Sequence, residues 1–442
     1  MGFQQGLSGL NASAKNLDVI GNNVANANTV GFKQSKAQFA DAYASATDAG
    51  IGTRLSTIAQ QFAQGNITSS NNALDTAISG PGFFQLGNAT SSSPEFYTRN
   101  GQFQMDNQGF IVTSEGMRVF GMNKSGVPGP LQIPTTPIQA RATGTSEHPN
   151  VMVGLNVDAR SPVTAMAADK GTEATIPPGV AGSFRFNASD PTTYNNSTST
   201  TVYDSLGNPH VASLYFQKAP PTATTNPWNV YLTIDNELQP PTAVPTVPAS
   251  AVPTGAGLLF DTTGKLPPGT VLSMLAPYTP PLASPSGGGA AAAANPINLT
   301  FDFSDSTQYG AAFGVNTLSQ DGYTTGMPSG FNISPDGTIL GRYTNGQTQK
   351  LGQLTIANFS NPQGLQPMGN NRWAPSAAAG APLAGTPGTA SLGTLQAGSV
   401  EDANVDLTGE LVNMIVAQRV YQANAQTIKT QDSILQTITN LR

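Results

Sequence analysis

The side chains best able to carry acid–base or metal chemistry are two histidines and a loose group of aspartates. His148 and His210 are the only histidines, one beside a proline and one in a turn-rich stretch, where we expect solvent-facing side chains. A catalytic or metal-binding histidine needs partners at ligand spacing, and the sequence has no cysteine and no histidine pair. Asp302, Asp305 and Asp321 lack the dense alternation and closing glutamate of a calcium loop. We therefore predict no metal, no cofactor and no catalytic centre.

Glycine-rich and tryptophan-containing segments offer two further kinds of chemistry. The Gly-rich stretches do not end in the Gly-Lys-Ser/Thr sequence that cradles a phosphate. Trp228 and Trp373 are the only tryptophans and lie far apart, whereas a glycan site needs clustered exposed aromatics. An extracellular glycosidase would need a positioned carboxylate pair, which the sequence leaves open. A secreted adhesive or glycan-binding β protein therefore stays as an alternative.

Composition favours a large, loop-rich extracellular protein. The 442 residues suggest about two to four domains. Charged residues make up only 10%, and the net charge of −6 gives no basic footprint for nucleic acid. The lack of cysteine excludes disulfides, and no apolar run of about 18 residues predicts a membrane span. The N-terminus lacks a basic region followed by an apolar core, so we expect any export to use no cleaved signal peptide.

The elements that organise this chain are two terminal segments with the same apolar rhythm. Apolar or small residues recur at alternating spacings of four and three near the N-terminus: Phe3, Leu7, Leu10, Ala14, Leu17, Gly21 and Val24. Near the C-terminus, a stripe recurs every seven residues with companions beside it: Leu407, Leu411, Met414, Tyr421, Ala425, Ile428, Leu435 and Ile438. Each pattern predicts a helix with one narrow apolar seam. The partner of each seam is the other end of the chain, in an intramolecular coiled coil, or the ends of neighbouring copies.

Between the helices, the patterns predict short strands in an interrupted order. The turn-rich tetrad 106–109 and the Asn-Gly pair at 345–346 each separate two strand-like runs. A third predicted pair surrounds residues 204–208. The C-terminal helix is expected from about residue 402, with Asp402 or Asn404 as its cap.

The predicted fold class is α+β and mainly β, with terminal helices in a coiled-coil layer, a β domain split between both chain halves, and an inserted outer β domain. The predicted ranges are an N-terminal helix, a connector, the first half of the β domain, the inserted domain, the second half of the β domain, and a C-terminal helical segment: 1–29, 30–70, 71–148, 149–320, 321–396 and 397–442.

Four stretches carry a family resemblance. Residues 22–33 resemble the N-terminal motif of the bacterial flagellar rod, hook and hook-associated axial proteins. Residues 75–84 and 97–103 are similar to the next shared motifs of that family, and residues 410–432 resemble its C-terminal helix. The length, the large insertion and the stretch 201–210 match hook-type members best. The residues of the first motif that we single out are Asn22, Asn23, Asn26, Thr29, Gly31, Phe32 and Lys33.

The resemblance implies a structural, non-enzymatic subunit of the flagellar hook. Its terminal helices would line a helical tube that joins rod to filament, and the flexible tube would act as a universal joint for torque. Implied partners are further copies of the chain, the distal rod protein, the hook cap, the hook–filament junction proteins and the flagellar type III export apparatus, without nucleic acid or membrane insertion. Phe3 and Leu7 resemble the pattern that the export gate recognises. The alternatives within the family are a distal rod protein and a junction protein.

Overall fold

Both ends of the chain are helical, and most of the described chain between them is strand. The structure is a computed structural model that describes residues 2–42, 52–144, 151–164, 186–238, 257–274, 277–280 and 294–440. The predicted fold class, α+β and mainly β with a helix at each end, is confirmed. None of the helices in these ranges is long and apolar enough to cross a membrane.

The described residues form helices α1 (Gly2–Ala25) and α2 (Leu407–Asn440), and short 3₁₀ helices at Pro191–Thr193 and Pro362–Gly364. The first strands are β1 (Ser35–Ala42), β2 (Gly52–Gln60), β3 (Ile67–Ser69), β4 (Thr76–Ser79), β5 (Phe83–Gly87), β6 (Phe96–Thr98), β7 (Phe103–Met105), β8 (Ile111–Thr113), β9 (Arg118–Asn123) and β10 (Pro128–Pro130). The next are β11 (Val151–Asp158), β12 (Asn196–Tyr203), β13 (Pro209–Lys218), β14 (Asn226–Ile234), β15 (Glu237–Leu238), β16 (Gly257–Phe260), β17 (Val271–Ser273), β18 (Thr300–Asp302), β19 (Thr307–Tyr309) and β20 (Gly314–Gln320). The last are β21 (Pro328–Ile333), β22 (Thr338–Tyr343), β23 (Thr348–Leu354), β24 (Ile356–Asn358), β25 (Gln366–Pro367), β26 (Arg372–Ala374), β27 (Leu383–Gly385), β28 (Thr394–Ala397) and β29 (Ser399–Glu401).

The chain divides into two units by its internal contacts. The terminal unit comprises Met1–Thr136, Pro328–Arg342 and Thr348–Arg442, and the inserted unit comprises Pro137–Met327 and Tyr343–Gln347. Strands from both sides of the insertion therefore belong to one unit. The six predicted domain ranges describe a finer division and stay predictions.

The terminal unit contains a sheet that alternates between the two chain halves. Its main path runs β21-β22-β23-β9-β5-β6-β26-β25, so that late strands pair with early ones at β23–β9 and β26–β6. The small sheets β28–β4 and β29–β3 repeat this mixture. The core beneath the sheet is apolar and comes from both halves, and it includes Ile78, Phe84, Leu86, Val119, Leu354 and Ile356. Residues from both halves of the chain therefore contribute to one core.

Strands β1 and β2 form a two-stranded sheet of their own within the predicted connector. They pair antiparallel from Ser35↔Gln60 to Ala42↔Gly52, with a bulge between Gln38 and Phe39. Polar residues fall on both faces of these strands and give no clear alternation, so the sequence pattern does not predict this pair.

The two helix boundaries differ from their predicted positions for local reasons. α1 ends at Ala25, and after it the backbone bonds change from the i−4 to the i−3 pattern, with the Ala27 amide donating to the Val24 carbonyl at 3.3 Å. α2 starts at Leu407, and its cap is Asp406, whose Oδ1 accepts from the Thr408 amide at 3.0 Å. The predicted cap at Asp402 or Asn404 is therefore wrong.

The inserted unit contains two five-stranded sheets around one core. In the first, β11 pairs with β18 and β19 in parallel and with β20 antiparallel; in the second, β12-β13-β14 form a meander. Alternate residues of β11 are buried, at no more than 1% exposure: Val151, Val153, Leu155 and Val157. They pack with Phe216, Trp228 and Phe301 in one apolar cluster. All residues of this apolar cluster belong to the inserted unit.

Three predicted turns are confirmed. Residues 106–109 join the paired strands β7 and β8, and residues 204–208 join β12 and β13. Asn345 and Gly346 lie between β22 and β23, where Gly346 adopts a φ of 79° that suits a residue without a Cβ.

Candidate assembly site

The two terminal helices lie antiparallel and very close together. A Cβ added to Gly6 would lie 3.1 Å from Ile428 Cγ1, and one added to Gly9 would lie 2.9 Å from Asn424 Nδ2. At the other end of α1, the Asn23 side chain reaches Glu410. The intramolecular contact therefore runs the full length of α1, and the small residues allow it.

The buried face of α1 combines small, polar and apolar residues. Its buried residues are Gly6, Ser13, Val19, Ile20 and Asn23, and all but Val19 recur in one stripe at spacings of seven and three. Each residue of this stripe immediately precedes a residue of the predicted seam in the sequence. Of that seam, Leu7 is 43% exposed, and Leu10, Ala14, Leu17 and Val24 are half-buried. The predicted assembly role of these residues stays a prediction, and the side chain of Phe3 lies outside the described part of the chain.

The predicted seam of α2 is also largely uncovered within one chain. The most exposed members are Leu407, Leu411, Tyr421 and Leu435, while Met414, Ala425 and Ile428 are half-buried. Further apolar side chains are more than half exposed on the same helix: Val412, Ile415 and Val416. The side chain of Ile438 lies outside the described residues. Apolar surface on this scale, along an amphipathic helix, indicates a surface for other copies or other proteins.

Below the helix pair is a group of polar side chains that we call the helix root: Asn23, Lys33, Gln34, Arg99, Glu401, Asn404 and Glu410. The side-chain amide of Asn23 bonds to the backbone of Ser35 as a neighbouring strand would. Its Oδ1 accepts from the Ser35 amide at 2.9 Å, and its Nδ2 donates to the Ser35 carbonyl at 2.8 Å. The Asn404 Oδ1 accepts from the Gln34 amide at 2.8 Å. These bonds tie the end of α1 and the start of β1 to the segment before α2.

Glu410, in the first turn of α2, completes this tie. Its Oε2 accepts from Asn23 Nδ2 at 3.2 Å and its Oε1 from Gln34 Nε2 at 2.8 Å. The residue is only 5% exposed. A carboxylate in a first helical turn also interacts favourably with the helix dipole.

The second part of the helix root is a buried ion cluster. Glu401 Oε1 lies 2.6 Å from Lys33 Nζ, and Glu401 Oε2 lies 3.3 Å from Arg99 Nη1. The Gly65 amide donates to the same carboxylate at 2.9 Å, and the Ala63 carbonyl accepts from Lys33 at 2.8 Å. Burial lowers the pKa of Lys33 and that of Arg99, and in each case the charge of Glu401 opposes the shift. The buried carboxylate of Glu401 therefore compensates the charges of two buried cations, Lys33 and Arg99.

The remaining motif residues shape the chain between α1 and β1. Gly31 has a φ of 72°, and a Cβ there would lie 2.6 Å from the Asn100 amide nitrogen. Asn22 and Asn26 bond to each other at 2.7 Å, and Thr29 Oγ1 donates to Asn26 Oδ1 at 3.2 Å. Phe32 is half-buried, and its amide donates to the Thr29 carbonyl. The motif thus builds a tight turn that carries Lys33 into the ion cluster.

Five root residues were not among the predicted site residues: Gln34, Arg99, Glu401, Asn404 and Glu410. Their bonds to other root residues join positions more than 300 residues apart in sequence, as in Lys33–Glu401, so local spacing does not indicate them.

A cleft of about 770 Å³ lies between α1, α2 and the β1–β2 pair. Its lining mixes polar and apolar residues on both helices, with Ser13, Asn16 and Ile20 on α1 and Glu410, Asn413 and Val416 on α2.

The histidine and aspartate candidates form no catalytic or metal centre among the described residues. His210 was expected to face solvent, but it is 9% exposed, with Nδ1 2.5 Å from Asp235 and Nε2 3.5 Å from Asp204. Asp321 pairs with Arg141 at 3.3 Å. His148 lies outside the described residues. Among those that are described, no group of three or more His, Asp or Glu side chains could hold a metal ion.

Comparison with known proteins agrees with this arrangement. Residues 3–33 match the family described as Flagella basal body rod protein, and residues 77–155 match the Flagellar hook protein FlgE/F/G D1 domain. Residues 167–323 match the Flagellar basal body protein FlaE D2 domain, and residues 396–441 match the Flagellar basal body rod FlgEFG protein C-terminal family. The chain is 39% identical over 452 aligned residues to the flagellar hook protein FlgE of Escherichia coli, and the alignment covers 100% of both chains.

The chain belongs to the flagellar hook protein family.

Two further relatives carry the same name. The hook proteins of Salmonella typhimurium and Treponema pallidum are 38% and 31% identical to the chain; the alignments cover 100% of both chains in the first case and 99% and 98% in the second. A solved structure, the Helicobacter pylori flagellar hook protein FlgE2, has a TM-score of 0.46 and 16% identity, and covers 76% of this chain and 100% of its own. The chain is a structural subunit of the flagellar hook, and the rod, junction and adhesin alternatives are not favoured.

Proposed function

We propose that the chain assembles through its terminal helices into the flexible tube of the hook, and that this tube passes torque from rod to filament as a universal joint. The observation that carries the proposal is the apolar surface that α2 leaves uncovered within one chain, above all at Leu411, Val412 and Ile415. A helical polymer needs a heterologous contact that does not close, and an exposed amphipathic helix supplies such a surface.

Further copies of the chain are then the main partner. Contacts with the distal rod protein, the hook cap and the junction proteins follow from the position of a hook between rod and filament. We also propose export through the flagellar type III apparatus without a cleaved signal peptide, with Phe3 and Leu7 as gate contacts. The proposed role is mechanical and non-enzymatic.

The test replaces apolar surface on α2 in a strain that lacks its own hook protein. We expect the double substitution Leu411→Ser/Ile415→Ser to give folded subunit but few or no hooks by electron microscopy of isolated basal bodies. Gln422→Ser, an exposed polar position on the same helix, is the matched control and should give hooks of normal length. Normal hooks from the double variant would contradict the proposed contact.

Export is tested on the hooks themselves. Mass spectrometry of subunits from purified hooks should find the N-terminal sequence of the unprocessed chain, apart from removal of Met1. A shortened N-terminus would indicate a cleaved leader and a different export route.

A further inference from the structure

Glu410 is a buried carboxylate whose hydrogen-bond partners are all neutral. Its side chain accepts from the amides of Asn23 and Gln34, and no lysine or arginine of the described chain lies within ion-pair distance of it. Glu401 shows the alternative, because that carboxylate holds two cations. Removing a carboxylate from water costs free energy, and here neutral amides and the helix dipole are its only compensation among the described residues, so a cation would stabilise Glu410 further.

The cleft gives a cation access to Glu410. The carboxylate side of α2 lines this cleft of about 770 Å³ together with Asn413, Val416 and Val420, and the two valines are about half exposed. The cleft is large enough for an arginine side chain and presents both an acidic group and apolar surface to it. Lys36 also lines the cleft but forms no ion pair with Glu410.

Arg419 is the cation that fits this description. It is exposed, and no carboxylate of the described chain forms an ion pair with it. It lies among exposed apolar side chains of α2, Val412 and Ile415, whereas the other unpaired cation of the helix, Lys429, has polar neighbours such as Gln426 and Thr430. Arginine flanked by apolar surface is typical of the centre of a protein interface.

Glu410 and Arg419 of one chain cannot meet. They are nine residues apart on a continuous helix, which separates them by about 14 Å along the axis and by about half a turn around it. The two groups therefore lie on opposite faces of α2. Complementary groups on opposite faces suit a head-to-tail contact, in which the front of one copy meets the back of the next.

We propose that Arg419 of one subunit enters the cleft of a second copy of this chain and pairs with its Glu410. This contact deepens the proposed function and rests on it. Each subunit then inserts its Arg419 into one neighbour and accepts the Arg419 of another neighbour in its own cleft. Such a head-to-tail contact can extend through an open-ended series of subunits. Arginine suits the site because its planar guanidinium can bond the carboxylate while its stem packs on the valines.

The direct test uses the absence of native cysteine. Hooks are assembled from the full chain with Asn413→Cys, which places a thiol in the cleft, and Arg419→Cys, and are treated with a short bis-maleimide. We expect a ladder of dimers, trimers and higher oligomers on a denaturing gel. Each single-cysteine chain should give no ladder, and neither should the matched pair Asn413→Cys/Lys429→Cys. Intact hooks without a ladder, or equal ladders from the Lys429 pair, would overturn the proposal.

A charge exchange keeps the proposal testable if the cysteine chains do not assemble. Glu410→Arg and Arg419→Glu should each lower the number of hooks per cell about tenfold or more, because every contact then joins like charges. Production of both variants in one cell should restore hooks, since alternating copies again place arginine against glutamate. Circular dichroism of each purified chain checks that it is folded. Folded variants that do not complement each other would overturn the pairing.

The experiments distinguish a wrong hook role from a wrong Arg419–Glu410 pair. If the unmodified chain is absent from isolated hooks, the hook role itself is wrong. If it is present and the Arg419 tests fail, only the proposed pair is wrong.

Discussion

The helix pair of the terminal unit and the core of the inserted unit differ in how completely they bury apolar surface. The inserted unit encloses large apolar side chains, such as Trp228 and Phe301, at 0–1% exposure. The helix pair buries a mixture that includes Ser13, Ile20 and Asn23, and leaves leucines and valines of α2 exposed. The apolar core of the inserted unit is enclosed within a single chain, whereas much of the apolar surface of α2 is exposed. This difference is what the proposed assembly through the helices would require.

The two units also differ in charge. Lysine plus arginine and aspartate plus glutamate balance in the terminal unit, with 13 of each, whereas the inserted unit holds 6 against 12. The whole formal charge of −6 therefore lies in the inserted unit. Electrostatic repulsion between copies therefore acts between inserted units and is weakened by salt. The terminal unit has no net charge that would oppose its packing against another copy.

The largest effect on subunit stability is expected at the ion cluster of the helix root. Glu401→Gln leaves Lys33 and Arg99 buried without a counter-charge, which should lower the free energy of unfolding of the terminal unit by about 3–5 kcal/mol. Denaturant unfolding, with hydrogen exchange of β29 as the local probe, measures it. The control is Lys15→Gln in the exposed pair with Asp18, which should leave the midpoint unchanged. A loss below about 1 kcal/mol would mean that water or relaxation compensates the two cations.

A slightly smaller loss is expected in the core of the inserted unit. Leu155→Ala on β11 removes a fully buried side chain and should cost about 2–5 kcal/mol, because the cavity cannot close completely. Met152→Ala on the same strand is the control, since Met152 is 48% exposed. Hydrogen exchange should show faster opening of β11 and its neighbours only in the first variant. Equal losses at both positions would contradict a self-contained core.

Acid should weaken the inserted unit through the two aspartates around His210. Burial alone would raise the pKa of Asp204, but hydrogen bonds from Asn208, Leu206 and His210 outweigh it and hold the pKa below its usual value. The pKa of Asp235 is lowered in the same way, with burial opposed mainly by His210. Because the unfolded state then takes up protons first, stability is present above about pH 5 and falls as pH drops through the folded pKa.

Thermal unfolding between about pH 6 and pH 3 measures this slope. Asp204→Asn should flatten it, whereas Met152→Ala should change only its height. An unchanged slope in Asp204→Asn would show that other carboxylates dominate the acid response.

The smallest effect on the isolated subunit is expected where the effect on assembly is largest. Leu411→Ser/Ile415→Ser removes side chains that are 44% and 51% exposed, and should change the free energy of unfolding by less than about 0.5 kcal/mol per site. Urea unfolding of the monomer measures it. A loss of several kcal/mol would mean that these residues already pack within one chain, and the comparison between the two regions would fail.

The elements that could be predicted from the sequence are those whose conformation depends on neighbouring residues. The seven-residue rhythm predicted both helices, and the Asn345-Gly346 pair predicted the hairpin of β22 and β23, because a glycine at positive φ is a local requirement. The β1–β2 pair was missed because its burial comes from packing on a helix rather than from its own alternation. The helix root was missed because its partners meet only after the chain ends are brought together.

The face of α1 that meets α2 shows why a periodic pattern alone can mislead about contacts. The apolar stripe predicted a contact, and the helix does have a contact, but α2 approaches closely at Gly6 and Gly9, outside the stripe. Two helix backbones can approach closely only where the side chains between them are small, whereas an apolar pattern marks the side chains that are more stable out of water. The stripe therefore predicts burial but not the partner, and within one chain Leu7 is exposed and Leu10, Ala14, Leu17 and Val24 are half-buried.

The span of the helix root along the sequence has one more consequence. Asn23, Lys33 and Gln34 are made early in the chain, while Glu401, Asn404 and Glu410 are made near its end. A chain that stops before residue 401 can form the inserted unit but has no carboxylate for Lys33 and no second helix for α1. The contacts that join α1 and β1 to α2 can therefore form only after the last residues of the chain have been made.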